Sequence, residues 1–376
     1  MPDRFEIFLA APPGLEPLLR DEAAALGLDD PKPVPGGVTV TGGWPDVWRA
    51  NLHLRGASRV LARFAAFRAL HLAQLDKRAR KLPWAELLRP DVPLRVEATS
   101  RASRIWHAGA ARARIATAIR ETLGAPITEA GEDDRPDDTP TLKVRIDDDL
   151  CTISIDTSGA PLHRRGHKQA VGAAPMRETL AALFLRACGY TGSEPVLDPM
   201  CGSGTFGLEA AGIAAGLAPG RSRRFAFETL ATFDPGAWSA LKAAAPPHPT
   251  PFRFHGRDRD AGAIAMSRAN AARAGVAALT DFRQAAISDL ARPDGPPGLV
   301  IVNPPYGARL GDPAGLRPLY AALGRTLGER FHGWRVGLVT TDAALARATG
   351  LPFGAPGPPV PHGPLKIRLW QTPPLG

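Results

Sequence analysis

A short motif near the middle of the chain combines residue types that could bind a ligand. It reads Asp-Pro-Met-Cys-Gly-Ser-Gly-Thr from Asp198 to Thr205 and follows the apolar pair Val196-Leu197. Glycines at positions 202 and 204 allow a sharp turn and let the backbone approach a ligand without a Cβ in between. A helix beginning near Thr205 would direct free N–H groups and the positive end of its dipole at that ligand. The motif therefore predicts a strand, a ligand-binding turn and a helix.

The acidic entrance of this turn limits the ligands that it could hold. Residues 202–207 satisfy the dinucleotide pattern G-x-G-x-x-G, but no Gly-Lys-Ser/Thr follows as in a phosphate-binding loop. Asp198 places a carboxylate where a pyrophosphate would be repelled and an ammonium group attracted. An ordinary strand-to-helix turn and a nucleotide-dependent oxidoreductase are the alternatives that this motif alone leaves open.

A second motif supplies hydrogen-bond acceptors in a rigid corner. Asn303-Pro304-Pro305-Tyr306 follows the apolar run 299–302, which predicts the end of another strand. A glycine turn with an acidic entrance, followed by Asn-Pro-Pro-Tyr in one α/β pattern, resembles the class I S-adenosylmethionine-dependent amino-group methyltransferases. A rigid turn without chemistry is the alternative for the second motif taken alone.

Lysine and arginine are concentrated in one part of the chain. Residues 55–120 hold 15 of them against four acids, a local charge of +11, whereas the whole 376-residue chain carries +9. A positive block beside a near-neutral remainder favours a nucleic-acid partner, and a set of solvated helix faces is the alternative. The predicted contacts in this block are Arg112, Arg114 and Arg120, which lie off the apolar face of a predicted helix.

The three cysteines predict neither disulfides nor a metal site. Cys151, Cys188 and Cys201 form no C-x-x-C pair, so no disulfide framework and no zinc signature is expected. The N-terminal segment lacks a signal-type apolar region, and no apolar run reaches the ~18 residues of a membrane span. We therefore expect a cytoplasmic protein with no metal ion and no membrane partner.

The first 160 residues predict two small α+β parts. Strand-like Phe5–Leu9 and a helix over Leu15–Leu26 open the first part, which ends near residue 60. A strand, a helix and a hairpin follow, with alternation over Leu142–Ile146 and Cys151–Ile155. This order resembles the THUMP module, an RNA-binding domain found ahead of RNA-modifying enzymes.

Basic residues also cluster in the segment 162–168, which leads into the second half of the chain. Arg164, Arg165 and Lys168 could follow a phosphate backbone, with an interdomain linker as the alternative. Together with Ala-Pro-Met-Arg-Glu-Thr-Leu-Ala at 174–181 and the two motifs above, this segment resembles the THUMP-containing RNA guanine-N2 methyltransferases. Those acting on bacterial 23S rRNA are the nearer group, and their tRNA-acting relatives come next.

The resemblance implies an α/β protein with three domains. A ferredoxin-like part over 1–60 and a THUMP-like RNA-binding domain over 61–160 would precede a Rossmann-like class I methyltransferase domain over 161–376, built on a mostly parallel seven-stranded sheet. Residues 225–238 are similar to an insertion that the family carries after its first Rossmann unit. The implied cofactor is S-adenosyl-L-methionine, and the implied partner is RNA, with rRNA preferred to tRNA.

The same resemblance assigns the cofactor-binding residues. Asp198 would meet the methionyl amino end, and Asp258 would hold the ribose diol with its two carboxylate oxygens. Glu228, the acid that follows the glycines at the spacing of a dinucleotide fold, is the competing ribose ligand. The predicted cofactor contacts are Pro175, Arg177, Glu178, Thr179, Asp198, Pro199, Cys201, Gly202, Ser203, Gly204, Thr205, Asp258, Arg259, Asp289 and Asn303.

Asn303, Pro304 and Tyr306 are the predicted catalytic residues. Guanine N2 is a poor nucleophile, because its lone pair is delocalised into the ring. Held by the Asn303 side-chain oxygen and the Pro304 carbonyl, the amine could lean towards tetrahedral geometry and direct its lone pair at a methyl group. Tyr306 would offer an aromatic face to an unstacked base, and a half-buried core aromatic is the alternative.

One position departs from the family pattern, and three other functions compete. Relatives carry an Asp for the adenine amine where this chain has Ala286, so Asp289 or backbone groups would have to replace it. An N6-adenine methyltransferase and a release-factor glutamine methyltransferase could use the same Asn-Pro-Pro-Tyr corner, although the basic N-terminal half disfavours a protein substrate. An RNA-binding protein with a decayed site is the non-enzymatic alternative.

Overall fold

The computed structural model describes residues 3–128, 138–169, 176–244, 246–306 and 313–376. The chain folds into two compact units. Unit 1 comprises Met1–Ala11, Leu19–Leu162 and Ser222–Ala244, and unit 2 comprises Pro12–Leu18, His163–Arg221 and Ala245–Gly376. Across these described ranges, no helix is both long and apolar enough to cross a bilayer.

Helices and strands alternate through much of the chain. The helices are α1 Glu16–Ala25, α2 Trp44–His53, α3 Leu72–Ala79, α4 Ala108–Leu123, α5 Glu178–Ala187, α6 Thr205–Ala214, α7 Pro235–Ala243, α8 Ala261–Arg273, α9 Pro313–Arg330 and α10 Ala343–Ala348. The strands are β1 Phe5–Ala10, β2 Asp29–Val34, β3 Gly37–Gly42, β4 Arg59–Arg68, β5 Leu94–Arg101, β6 Ile127–Thr128, β7 Thr141–Asp147, β8 Leu150–Asp156, β9 Val196–Asp198, β10 Phe254–Asp258, β11 Thr280–Gln284, β12 Leu299–Val302, β13 Arg335–Thr340, β14 Val360–His362 and β15 Leu365–Gln371.

Unit 1 is built on an eight-stranded sheet with the strand order β2-β3-β1-β4-β8-β7-β5-β6. β5 runs parallel to β6 and β7, and the other neighbouring strands are antiparallel. Alternation along the β7–β8 hairpin buries Leu142, Val144 and Ile153, as the sequence pattern predicts. The same sheet takes strands from both 1–60 and 61–160, and the division of the chain into three domains stays a prediction.

Residues 222–244 group with unit 1, although the sequence assigned them to the methyltransferase domain. The Phe227 backbone N–H donates to the Thr157 carbonyl at 3.1 Å, and its ring centroid lies 6.2 Å from that of Trp48. Trp238 contacts the Phe227 ring edge to face at 5.1 Å. These aromatic contacts fix the insertion into the unit 1 core.

Unit 2 is built on a seven-stranded sheet with the strand order β11-β10-β9-β12-β13-β15-β14. Neighbours from β11 to β13 are parallel, whereas β15 runs antiparallel to β13 and β14. The predicted mostly parallel sheet is therefore confirmed. Because β9 lies between β10 and β12, the carboxyl ends of three parallel strands meet at one edge, where ligands bind in open α/β sheets. Asp198 and Asp258 end two of these strands, and Asn303 follows the third.

Candidate active site

Hydrogen bonds join the glycine turn to the strand end beside it. The Gly202 backbone N–H donates to Asp258 Oδ2 at 3.0 Å, and the Cys201 N–H donates to the Arg257 carbonyl at 2.9 Å. Asp258 Oδ1 accepts from the Asp260 N–H at 3.0 Å. The Asp258 carboxylate is thus fixed against the turn, where the sequence predicted a ribose ligand.

The competing ribose ligand has another role. Glu228 belongs to unit 1, where its Oε1 accepts from the Phe225 backbone N–H at 2.8 Å. That bond caps a short helical turn in the insertion. The contacts therefore favour Asp258 over Glu228 as the acidic group beside the glycine turn.

The two glycines of the turn serve different purposes. Gly202 has φ +51°, and a Cβ placed on it would meet no described atom within 4 Å. Gly204 has φ +85°, and a Cβ placed on it would lie 3.1 Å from both the Phe282 ring and Ser267 Oγ. Both conformations favour glycine. The turn is therefore packed from behind at Gly204 and open at Gly202, which leaves a cradle that a ligand can enter.

Helix α8 holds the carbonyl groups of the turn. Ser267 Oγ donates to the Gly202 carbonyl at 2.7 Å, and Asn270 Nδ2 donates to the Ser203 carbonyl at 3.0 Å. Both side chains are fully buried. The sequence analysis assigned no role to either residue. Polar residues on an apolar helix face were the available signal, since buried polar groups need partners.

Asp198 is a buried carboxyl group without a cationic partner in its described surroundings. Burial raises its pKa to about 8, with a further increase from Asp258, while a hydrogen bond from the Met200 N–H at 3.1 Å lowers it. A raised pKa means that the charged form is poorly solvated here. An ammonium group of a ligand would restore that charge, so the residues present fit the cationic amino end of a methionyl cofactor.

The Asn303 corner presents an acceptor that the described residues leave unused. Asn303 Oδ1 is buried and has no hydrogen-bond partner among them. Tyr320 of α9 donates its hydroxyl to the Pro305 carbonyl at 3.1 Å and lies 3.4 Å from Thr340 Oγ1. A buried acceptor without a donor is costly, which makes it suited to a substrate N–H. Tyr320, which the sequence analysis did not single out, restrains the Asn303 corner through this hydrogen bond to the Pro305 carbonyl.

Tyr306 lies mostly inside unit 2. Its side chain is 9% exposed, and burial raises its pKa to about 12, with Tyr320 adding to the shift and the polar contact with Asn303 opposing it. This burial matches the alternative of a core aromatic and leaves little of the ring for a base. Stacking by Tyr306 on a base stays a prediction. The contact between Tyr306 and Asn303 suits Tyr306 to orient the Asn303 amide.

Two predicted phosphate contacts in the segment 162–168 are buried ion pairs instead. Arg165 Nε lies 3.2 Å from Glu209 Oε1, and both side chains are under 5% exposed. Lys168 Nζ donates to Thr205 Oγ1 at 2.9 Å and lies 3.4 Å from Glu178 Oε1. We therefore correct Arg165 and Lys168 to structural roles, because neither cation reaches the surface.

The other predicted cofactor contacts divide by exposure. Arg177 is exposed at the start of α5, whereas Glu178 and Thr179 are buried there. Burial raises the pKa of Glu178, and the charge of Lys168 opposes that shift. Pro175 lies outside the described residues. Of the rest, the buried ones are Pro199, Cys201, Ser203 and Thr205, and the exposed ones are Arg259 and Asp289.

The remaining predicted RNA contacts reach the surface. Arg164 is exposed in the segment 162–168, Arg114 and Arg120 are exposed on α4, and Arg112 is half-buried there. Solvent reaches all four side chains, which is compatible with a phosphate contact, so these four stay predictions. Across the described chain, no group of His, Cys, Asp or Glu side chains is arranged to hold a metal ion.

The sheet order and its edge define a class of protein. A mostly parallel sheet of this topology, with an acidic strand end, a glycine turn and an Asn-Pro-Pro-Tyr corner on adjacent strands, is a class I methyltransferase domain. The chain belongs to the UPF0020 family, the RMKL-like methyltransferase domain, which matches residues 165–352. Residues 6–61 match the RlmL ferredoxin-like domain. The predicted family, the ferredoxin-like fold at the N-terminus and the class I methyltransferase fold are thus confirmed, and the THUMP-like domain over 61–160 stays a prediction.

Individual proteins agree with this membership. The chain is 35% identical over 363 residues to the ribosomal RNA large subunit methyltransferase K/L of Chromohalobacter salexigens, covering 92% of this chain and 49% of that protein. It therefore spans about half the length of such curated relatives. A putative methyltransferase crystallised with SAH shares 27% identity at a TM-score of 0.87, covering 100% of this chain and 99% of the other. A predicted N6-adenine-specific DNA methylase from Listeria monocytogenes shares 31% identity at a TM-score of 0.86, covering 98% of this chain and 96% of the other.

Proposed function

We propose that this chain is an S-adenosylmethionine-dependent methyltransferase that forms N2-methylguanosine in RNA. Large-subunit ribosomal RNA is the preferred substrate and tRNA the second choice, and the protein would act in the cytoplasm. The observation that carries the proposal is the buried Asn303 Oδ1, which lacks a donor among the described residues and follows the strand next to Asp198. An acceptor kept free in this way suits an exocyclic amine.

The chain's own residues would bind and orient the cofactor. Asp198 would pair with the ammonium group, Asp258 would accept from the ribose hydroxyls, and the open face of Gly202 would admit the ligand. When bound, the cofactor supplies an electrophilic methyl group on a sulfonium sulfur. Ser267 and Asn270 would hold the backbone of the glycine turn in one conformation while the cofactor binds.

The Asn303 corner would prepare the acceptor amine. Its Oδ1 and the Pro304 carbonyl would each accept one N–H of guanine N2, which directs the nitrogen lone pair towards the methyl carbon. The cofactor would supply the methyl group and leave as a neutral thioether, while N2 would supply the electron pair of the new bond and release its surplus proton to water. The acceptors are rigid before substrate arrives, because two prolines and the Tyr320 hydrogen bond restrict the loop.

The nature of the acceptor base separates this function from its rivals. The Listeria structure carries the description of an N6-adenine-specific DNA methylase, and adenine N6 is also a planar amine. The curated relatives carry a ribosomal RNA description, and the basic block at 55–120 favours a polyanionic substrate.

Product analysis tests the proposal. The purified chain is incubated with methyl-labelled S-adenosylmethionine and, separately, with ribosomal RNA, tRNA, DNA and release factor, and each product is digested to monomers. Label in N2-methylguanosine supports the proposal, with ribosomal RNA expected to give the higher yield. Label in N6-methyladenine or in glutamine would contradict it.

A further inference from the structure

The exposed large apolar side chains of the described residues lie at one end of the unit 1 sheet. Trp106 is 78% exposed, Leu150 42% and Leu70 39%. Leu150, the first residue of β8, pairs with Arg68, the last residue of β4, and with Asp147, the last residue of β7. Asp147 in turn pairs with Arg101, the last residue of β5. Leu70 and Trp106 follow the ends of β4 and β5, so all three apolar side chains share one edge.

The loop that carries Trp106 is held in place by its neighbours. The Ser100 hydroxyl donates to the Ile105 carbonyl, and the Ile105 side chain is buried. The Arg104 backbone N–H donates to Asp149 Oδ1 at 2.7 Å in the adjacent hairpin. Since Ile105 anchors the loop to the core, the Trp106 indole is presented to solvent on a fixed support.

Such exposure is unusual for this residue type in this chain. The other tryptophans, among them Trp48 and Trp84, are buried or half-buried in the described structure. Leaving an indole in water forgoes the free energy of burial. Large apolar side chains grouped at one edge mark an interaction site rather than random surface composition.

Arginines accompany the apolar side chains. Arg68, Arg101 and Arg104 are exposed at the same edge, and α4 begins beside Trp106 with Arg114 exposed on it. The hairpin acids offset part of this charge, since Arg68 lies 3.5 Å from Asp148 and Arg104 lies 3.9 Å from Asp149. Among the described residues, no acid forms an ion pair with Arg101 or Arg114. An aromatic ring flanked by cations matches a base and its phosphates. The positive block at 55–120, which contains these arginines, favours a polyanion over a protein partner.

We propose that this surface binds a single-stranded segment of RNA, with Trp106 stacked on an unpaired base. The surface, here called the Trp106 edge, consists of Arg68, Leu70, Arg101, Arg104, Trp106 and Leu150. This inference rests on the proposed function, since it assumes an RNA substrate, and it assigns to unit 1 a preference for unpaired nucleotides. The arginines contact flanking phosphates and make the binding dependent on salt.

Fluorescence anisotropy with a labelled 12-nucleotide RNA tests the inference, using the full chain. We expect Trp106→Ala to weaken binding of the single strand by about five-fold or more, the effect of one lost base–aromatic stack. Trp106→Phe should keep the affinity to within about three-fold, because a ring remains. Both variants should melt at the wild-type temperature, since the side chain is exposed.

Two controls sharpen the result. A duplex of the same sequence should bind the Trp106→Ala variant and the wild type nearly equally, because its bases are not free to stack. Arg104→Gln should lower the salt dependence of binding, whereas Lys32→Gln, at an exposed lysine on β2, should not. The single strand should also quench tryptophan emission of the wild type but not of the Trp106→Phe variant.

Wild-type affinity of the folded Trp106→Ala variant for the single strand would overturn the inference and assign the edge to another partner, such as a protein. That outcome differs from failure of the proposed function. If the wild type bound RNA through Trp106 but transferred no methyl group, the inference would stand and the proposed function would fall.

Discussion

Asp198 carries a carboxyl group whose charge depends on what lies beside it. Its pKa is raised to about 8 in the folded chain, against roughly 4 for an exposed aspartate. Between these values the folded state binds more protons than the unfolded state, so this group's contribution to the free energy of unfolding falls as pH rises. A ligand ammonium group would reverse the shift by favouring the carboxylate.

Cofactor affinity should therefore depend on pH through Asp198. Because binding would release a proton below pH ~8, we expect affinity for S-adenosylmethionine to rise about ten-fold from pH ~6.5 to pH ~8. Titration calorimetry in buffers of different ionisation enthalpy measures both the affinity and the proton release. Asp198→Asn should bind more weakly and lose this part of the pH dependence. Equal pH profiles for the two proteins would remove Asp198 from the cofactor site.

Tyr320 offers a test of the rigid corner that leaves the reacting groups intact. Tyr320→Phe deletes the hydrogen bond to the Pro305 carbonyl, so we expect turnover to fall about ten-fold while cofactor affinity stays near normal. Tyr190→Phe is the matched control, because that hydroxyl donates to the Ala210 carbonyl at 2.9 Å within the same unit. Similar turnover in the two variants would mean that the Tyr320 bond only stabilises the fold.

The segment 162–168 contains adjacent arginines of which one is exposed and the other is buried. Arg164 is exposed, whereas Arg165 is buried against Glu209 of α6. Arg165→Gln removes this buried ion pair, so the free energy of unfolding should fall by about 3 kcal/mol. Arg164→Gln should change it by under about 0.5 kcal/mol.

Urea unfolding curves of the two variants compare these effects. We expect a lower midpoint for Arg165→Gln only, with any loss of RNA affinity confined to Arg164→Gln. A wild-type midpoint for Arg165→Gln, combined with weaker RNA binding, would restore Arg165 as a phosphate contact.

The local pattern of apolar residues was sufficient to predict the strands and helices named here and the residues that lie at strand ends. Leu299–Val302 is a strand of four buried residues as its apolar run predicts, and the apolar spacing of α4 marks the buried face with Ile115 and Ile119. The position of Asp198 and Asn303 could be predicted, because an acid or amide at the end of a buried strand lies at the ligand edge of a parallel sheet. Their roles in binding and catalysis stay predictions.

Contacts between distant elements were not predictable in the same way. The burial of Arg165 depends on Glu209, 44 residues further along the chain, and the support of the corner depends on Tyr320, 15 residues after Pro305. The grouping of 222–244 with unit 1 depends on aromatic packing against Trp48. A single sequence carries no signal for contacts between residues that lie far apart along the chain.

The charge distribution of the entire chain makes a prediction about RNA binding. The positive block at 55–120 includes Arg112, Arg114 and Arg120, and each phosphate contact on a single strand adds about 0.7 to the slope of log affinity against log salt. Replacing all three arginines by glutamine should lower that slope by about two. Binding measured between low and moderate salt provides the slope, and an unchanged slope would exclude α4 from the interface.

The central claim is that the Asn303 corner holds a flat amine against a methyl donor in the glycine turn. Its most direct test is transfer of labelled methyl from S-adenosylmethionine to ribosomal RNA by the wild type and by Asn303→Ala, alongside the cofactor affinity of each. We expect at least about a 100-fold loss of turnover in Asn303→Ala, on the order expected for a transition-state contact, with cofactor affinity within about three-fold of wild type. Wild-type turnover by the Asn303→Ala variant would contradict it.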